Sequence, residues 1–145
     1  MDKFITEALN QAYKSLSEGG IPIGSAISIG DKLIASGHNQ RIQKGSCILH
    51  AEMDCLEKAG RLTAKDYSKA TLYSTLSPCH MCSGAILLYG IKRVVIGENV
   101  NFKGPEELLA SHGVEIVHLN NQDCIKVMSD FIKNKPELWN EDIGE

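Results

Sequence analysis

Four side chains in two short runs have the makings of a metal centre. The runs are His50-Ala51-Glu52 and Pro78-Cys79-His80-Met81-Cys82. Zinc takes thiolates and imidazole in a tetrahedron; three protein ligands leave the fourth position for water, and four close it. His50, Cys79 and Cys82 supply three well-spaced ligands. Cys79 and Cys82 are three residues apart, so a helical turn puts both on one face. A helix N-terminus also lowers a thiol's pKa, which favours the thiolate that zinc needs. Pro78 is tolerated there, because the first amides of a helix have no intrahelical partner. Glu52 lies two residues past His50, about 200° around a helix, and is thereby free to handle protons. Zinc lowers the pKa of a bound water toward about 7, and a carboxylate beside that water can take the proton and pass it on.

Plainer readings of the same residues stay open at this point. A C-x-x-C alone fits a redox pair or half of a structural zinc site. A closed four-ligand site needs one more donor, and Cys47 and Cys55 are the nearby candidates. They and Cys124 otherwise read as core or surface thiols. His80 points away from its flanking cysteines, toward a pocket or the surface. His38, His112 and His118 read as structural or exposed, and Trp139 as an anchor for the tail. A non-catalytic zinc-binding scaffold would require Glu52 to be idle.

The elements that must position these groups follow from periodicity. Ile5, Ala8, Leu9, Ala12 and Leu16 predict a first helix, stopped at Gly19-Gly20. Ser25 to Ile29 and Leu33 to Ser36 predict a hairpin turned at Gly30-Asp31. A loop is predicted from Gly37 to about Gly45, then a helix from Cys47 to Ala59. Thr71 to Leu76, Arg93 to Gly97 and Val114 to Leu119 read as strands. Cys79 to Tyr89 reads as a helix. A short helix follows Pro105, with Glu106 and Glu107 complementing its dipole. Ile125, Met128, Phe131 and Ile132 mark the last helix, which Pro136 ends, leaving a tail from Leu138 to Glu145. Helix, hairpin, then alternating strands and helices predict an α/β fold with a mostly parallel sheet covered on both faces. Ligands of such sheets bind at the carboxyl ends of strands, where helices begin. Both metal runs fall at such helix starts.

Composition narrows the field. The chain has 145 residues, one domain's worth spanning 1–145, with no repeat or linker. Its 43% hydrophobic content is enough to bury, which excludes disorder as the main state. The longest apolar run, Ala85 to Tyr89, falls far short of the roughly 20 residues of a membrane span. Met1-Asp2-Lys3 lacks the basic start and apolar stretch of a signal peptide, so a cytoplasmic protein with reduced thiols is expected. There are 15 Lys+Arg against 18 Asp+Glu, and the basic residues are scattered. Phosphate-driven binding uses a basic stripe, so nucleic acid is a disfavoured partner.

His-x-Glu followed by Pro-Cys-x-x-Cys is the signature of the zinc deaminases. Further stretches narrow the likeness: Gly37-His38-Asn39, Arg41-Ile42-Gln43-Lys44-Gly45, Leu76-Ser77-Pro78-Cys79, Gly97-Glu98-Asn99-Val100-Asn101-Phe102 and the tail from Trp139 to Glu145. On these the chain, from about Ile21 to Glu145, resembles the yeast-type cytosine deaminases of the cytidine/deoxycytidylate deaminase superfamily. It departs from the yeast pattern in having Ala51 for Gly and His80 for Asp, and in a shorter N-terminus. The resemblance implies a three-layer α/β/α sandwich around a five-stranded mixed, mostly parallel sheet, the cytidine deaminase-like fold. It implies a homodimer holding one catalytic zinc ion per chain on His50, Cys79 and Cys82, with no organic cofactor. The implied reaction is hydrolytic deamination of free cytosine to uracil and ammonia, a zinc-bound hydroxide attacking C4 while Glu52 shuttles protons. Asn39 and the Ala51 amide would hold the pyrimidine's O2/N1 edge, and the Ser77 carbonyl would face the exocyclic amine. Phe102 and Trp139 would close over the ring, Ile23 would be a lesser wall, and Asp142 would reach the amine side. Deaminases of another base, such as guanine or adenosine in tRNA, are the alternative.

Overall fold

The structure, a computed structural model, describes residues 2–145. Its first helix, α1 (Lys3–Ser17), starts where the Asp2 carboxylate accepts the Phe4 amide hydrogen at 2.8 Å. Phe4, Ile5, Ala8, Leu9 and Ala12 line its buried face. β1 (Gly24–Ile29) and β2 (Lys32–His38) form the expected antiparallel hairpin. α1 lies so close on β1 that a Cβ at Gly24 would stand 1.8 Å from the Ala8 carbonyl oxygen, so only glycine fits there.

β1 also pairs antiparallel with β3 (Ala70–Ser74). Parallel pairing then runs from β3 to β4 (Arg93–Ile96) and from β4 to β5 (Glu115–His118). The order is β2-β1-β3-β4-β5. Both neighbours of β1 oppose it, so four of the five strands run one way and β1 alone is reversed. That is the sense in which the mixed sheet is mostly parallel.

Strand alternation sorts the two faces. Ala26, Tyr73 and Val95 are in register across the sheet and pack with Phe4, Ile5 and Ala8 of α1. Ile27, Leu72 and Val94, one residue along, pack on the opposite face with Cys55, Leu56, Ala85, Ile86 and Leu109. These come from α3 (Ala51–Ala59), α5 (His80–Tyr89) and α6 (Glu106–Ser111). Helices therefore cover both faces, as a three-layer sandwich requires. Among the described residues no helix is long and apolar enough to cross a membrane. Leu72 is fully buried at the centre of the larger cluster. Leu72→Ala should lower unfolding stability by about 3 kcal/mol in a denaturant titration. A loss under about 1 kcal/mol would mean that the neighbours collapse into the space.

Several boundaries differ from the sequence reading. The loop after Gly37 contains a turn of helix, α2 (Arg41–Lys44), closed by Gly45 at φ 58°. α3 begins at Ala51 and not Cys47, because the Ser46 hydroxyl takes the amides of Ile48 and Leu49 and holds that stretch out of helix. β3 ends at Ser74, two residues early, where the Ser74 hydroxyl turns to the Leu76 carbonyl. A helix not foreseen, α4 (Ala64–Ser68), opens with a reciprocal capping box between Thr63 and Asp66. After α7 (Gln122–Asn134), Pro136 does more than stop a helix. It takes the first position of another, α8 (Pro136–Asp142), where its missing amide hydrogen costs nothing. The expected tail is thus largely helical.

Candidate active site

The two metal runs meet where α3 and α5 begin. His50 is the N-cap of α3 and Cys79 the N-cap of α5, both with extended backbone. Cys82 lies in the first turn of α5. The donor atoms of His50, Cys79 and Cys82 all lie within 4.8 Å of one another, and His50 Nδ1 is 3.4 Å from Cys79 Sγ. A tetrahedral zinc with ordinary Zn–N and Zn–S bonds puts such a pair about 3.6 Å apart, so the three donors fit that ion. Without a metal the three donors share protons. A hydrogen bond from Cys82, helped by the His50 imidazole against the effect of burial, brings the Cys79 thiol down to about 4. Cys82 is pushed well up by donating that bond and by burial. Burial disfavours charge on His50, but Cys79, Asp142 and Glu52 outweigh it and raise its pKa to about 9. A dication on these donors would displace the protons they share.

Among the described residues no fourth donor joins them. Cys55 is buried in the core and directs its sulfur to the Ala35 carbonyl, and Cys47 is exposed. Among the described residues His50, Cys79 and Cys82 are the only such cluster of three or more metal-binding side chains. The geometry therefore favours a three-ligand site with an open position. His80 is exposed at the outer mouth, and Cys124 is a core thiol.

Beside the donors is a cavity of about 20 Å³, room for roughly one water molecule. Glu52, 4% exposed, faces it from the second position of α3. Burial first, and the charge on Cys79 second, push its carboxyl up to about 7, where it can both give and take a proton near neutral pH. Ile23, Leu76, Ser77, Phe102, Trp139, Asp142 and Ile143 complete the cavity's lining. The Phe102 and Trp139 rings meet edge to face, centroids 5.9 Å apart. Asn39 and Ala51 are buried but lie behind that lining. Ala51 is the first residue of α3, so its amide has no partner within the helix. Asn39 Oδ1 accepts from the Arg41 amide and Nδ2 donates to Asp142 at 2.9 Å.

Several contacts that shape the site have no counterpart in the sequence reading. Asp142 touches His50 at Nε2, 3.4 Å away, which places a carboxylate behind the ring whose other nitrogen faces Cys79. Burial leads in raising the Asp142 pKa, against His50, Asn39 and Arg41. Arg41 reaches across from α2 to Glu141 at 3.1 Å, to Asp142 at 3.6 Å and to the Cys47 carbonyl at 3.0 Å. It ties α8 to the loop before His50. Hydrogen bonds of a charged group contribute about 1.5–3 kcal/mol. Arg41→Ala should therefore raise KM about tenfold with zinc content unchanged; an unaltered KM would show that the tail holds without it. Asp54, buried under the same loop, accepts from the His38 amide, Gln40 and Lys58. Burial would raise its pKa, but Lys58 and the two amides hold it below the usual Asp value. Glu98 accepts from the amides of Val100 and Asn101 and so folds the stretch that leads to Phe102. Ile143 also joins the wall. Nothing local in the sequence distinguishes these carboxylates from solvated ones.

Comparison with known proteins agrees with this geometry. Residues 1–98 match the family model of the cytidine and deoxycytidylate deaminase zinc-binding region. The chain is 64% identical over 144 residues to the cytosine deaminase of Candida albicans, covering 99% of this chain and 96% of that one. It is 36% identical over 147 residues to a tRNA-specific adenosine deaminase of Streptococcus pyogenes serotype M18, covering 92% and 91%. A solved guanine deaminase from Nitrosomonas europaea shares the fold, with a TM-score of 0.71 at 20% identity, over 88% of this chain and 82% of that one. The resemblance first carried by two short motifs thus extends along the chain, which belongs to the cytidine and deoxycytidylate deaminase family and carries its zinc-binding region.

Proposed function

We propose that the protein deaminates free cytosine by hydrolysis, giving uracil and ammonia. The observation that carries this reading is the cover on the cavity. Trp139, Asp142 and Ile143 of the C-terminal segment line it with Phe102, and the space beside the metal donors is only about 20 Å³. A single flat base can be admitted by a small shift of that cover; a base carrying a ribose must displace it. The 64% identity to a cytosine deaminase supports the same substrate. On this reading His50, Cys79 and Cys82 hold one zinc ion, which when bound lowers the pKa of a water for attack. Glu52 takes a proton from that water and delivers it to ring N3 as the oxygen bonds to C4; it then takes the proton of the new C4 hydroxyl and passes it to the departing amine, leaving the C4 carbonyl. The C4–N bond breaks and ammonia leaves. Asn39 and the Ala51 amide orient the O2/N1 edge, the Ser77 carbonyl accepts from the exocyclic amine, and Phe102, Trp139 and Ile23 exclude water around the ring. Asp142 steadies His50 from behind and faces the amine side.

The test is ammonia release by the zinc-loaded protein with cytosine, cytidine, adenine and guanine side by side. Turnover of cytosine without cytidine is expected. Turnover of a purine or of cytidine would overturn the substrate, with Ala51 and His80 the first positions to examine. Adenosine in tRNA is the second reading, favoured by the 36% identity to tRNA-specific adenosine deaminases, and a tRNA substrate belongs in the same panel. The proposal includes a cytoplasmic homodimer acting as a single-domain enzyme per chain. Leu88 at 76% and Tyr89 at 43% exposure, at the end of α5, are apolar surface that a partner copy would cover. Light scattering should give twice the 15.8 kDa chain mass.

A further inference from the structure

Glu106 is the first residue of α6, and its side chain is buried, 6% exposed. An acid at a helix start usually serves that helix's own amides or dipole. This one is aimed elsewhere. Its Oε2 accepts from the Ser77 hydroxyl at 2.5 Å, its Oε1 lies 2.7 Å from His118 Nε2, and Asn99 Nδ2 approaches both oxygens at 3.4 Å. The three partners come from the β3–α5 loop, the end of β5 and the β4–α6 loop.

Ser77 is the partner that matters for chemistry. It lines the cavity and stands two residues before Cys79. Its hydroxyl donates to Glu106 and accepts from the Gly104 amide at 3.0 Å. One oxygen therefore joins the loop that leads through Cys79 into α5 to the loop that carries Phe102. The two backbones are in contact there, since a Cβ at Gly104 would stand 1.8 Å from the Pro78 carbonyl oxygen. The Ser77 hydroxyl is therefore committed to Glu106 and Gly104. The amide of Ser77 is fixed as well, donating to the Glu98 carbonyl at 3.0 Å.

We infer that Glu106 is a positioning residue for the substrate pocket, acting through Ser77, with His118 as its outer support. It sets where the Ser77 carbonyl and the Phe102 wall stand, and it touches neither substrate nor metal donors. The inference rests on the proposed function only in the identity of the group that meets the carbonyl.

The test is a double-mutant cycle with Ser77→Ala and Glu106→Ala, using whichever base the wild type turns over fastest. Failure of the cytosine reading therefore leaves the cycle intact. A hydrogen bond to a charged group is worth about 1.5–3 kcal/mol, or roughly 10–150-fold. Each single variant should lower kcat/KM by about tenfold or more, mainly through KM, with one zinc per chain retained. The double variant should be no worse than the worse single one, because Glu106 acts on the pocket through the Ser77 hydroxyl. Glu106→Gln keeps an acceptor for the Ser77 hydroxyl and should recover activity to within about threefold of wild type. Multiplying losses, wild-type KM in Glu106→Ala, or loss of zinc in step with activity would overturn the inference. Should Glu106→Ala fail to fold, Glu106→Gln and Ser77→Ala carry the test: Glu106→Gln must stay within about threefold of wild type while Ser77→Ala loses about tenfold, and a larger loss in Glu106→Gln that persists in the Ser77→Ala background refutes the inference.

Discussion

Glu52→Gln should abolish turnover while leaving the fold and the metal in place. The carboxylate is 4% exposed, faces the cavity, and has a pKa of about 7 because burial and the nearby Cys79 charge both oppose its ionisation. A group with that pKa exists in both protonation states near neutrality, so it can accept from water and donate to the ring in one cycle. Glutamine has nearly the same shape and no exchangeable acid. General acid–base catalysis is worth about 10²–10⁴-fold, and a residue used for several transfers belongs at the upper end. We expect kcat to fall by about 10⁴. His50, Cys79 and Cys82 are untouched, so the variant should still bind one zinc per chain and melt within a few degrees of wild type. A kcat within about tenfold of wild type would remove Glu52 from the proton path. Loss of zinc together with activity would assign it a structural part. Intact zinc with no turnover would also defeat the scaffold reading, in which Glu52 has nothing to do.

The metal donors were legible because their geometry is local. A cysteine capping a helix and another three residues on must share a face, and a histidine at the neighbouring helix start needs only the sheet to bring the two ends together. The sheet itself was legible from period-two alternation, as Ala26 and Ile27 show by facing opposite layers. What was not legible is contact across the chain. Asn39 meets Asp142 only because α8 folds back over the α2 loop, and no periodicity in either segment announces it. Glu106 reads as a helix-dipole partner because the chain around it looks like an ordinary exposed N-terminus. Its burial depends on Ser77 and His118, which lie 29 and 12 residues away. Pro136 carries two meanings at once, stop and start, and only packing of Trp139 beside Met128 and Phe131 shows that the second applies. The Thr63–Asp66 box was readable in principle, but a five-residue helix lies below what periodicity resolves.

Deleting Leu138 to Glu145 should reduce kcat/KM for cytosine by about 10³. Two losses combine. Trp139 and Ile143 vanish from the cavity wall, and an apolar wall that excludes water around a small ring contributes at least about 1.5 kcal/mol, a factor of roughly ten. Asp142 also vanishes from behind His50, and removing such a partner weakens metal binding or activity by about 10–100-fold. The tail packs on Met128, Phe131, Ile21 and Ile23, so some stability goes with it. Two point variants separate that from function. Trp139→Ala opens the wall and keeps Asp142; Asp142→Asn keeps the wall and weakens the partner of His50. The first should chiefly raise KM and narrow the preference for cytosine over cytidine, since the cover no longer excludes a ribose. The second should chiefly lower zinc affinity, read by competition with a chelator. Full activity in the truncated chain, or an unchanged cytosine-to-cytidine ratio in Trp139→Ala, would show that the cover has no part in choosing the substrate. The free-base reading would then lose the observation it rests on.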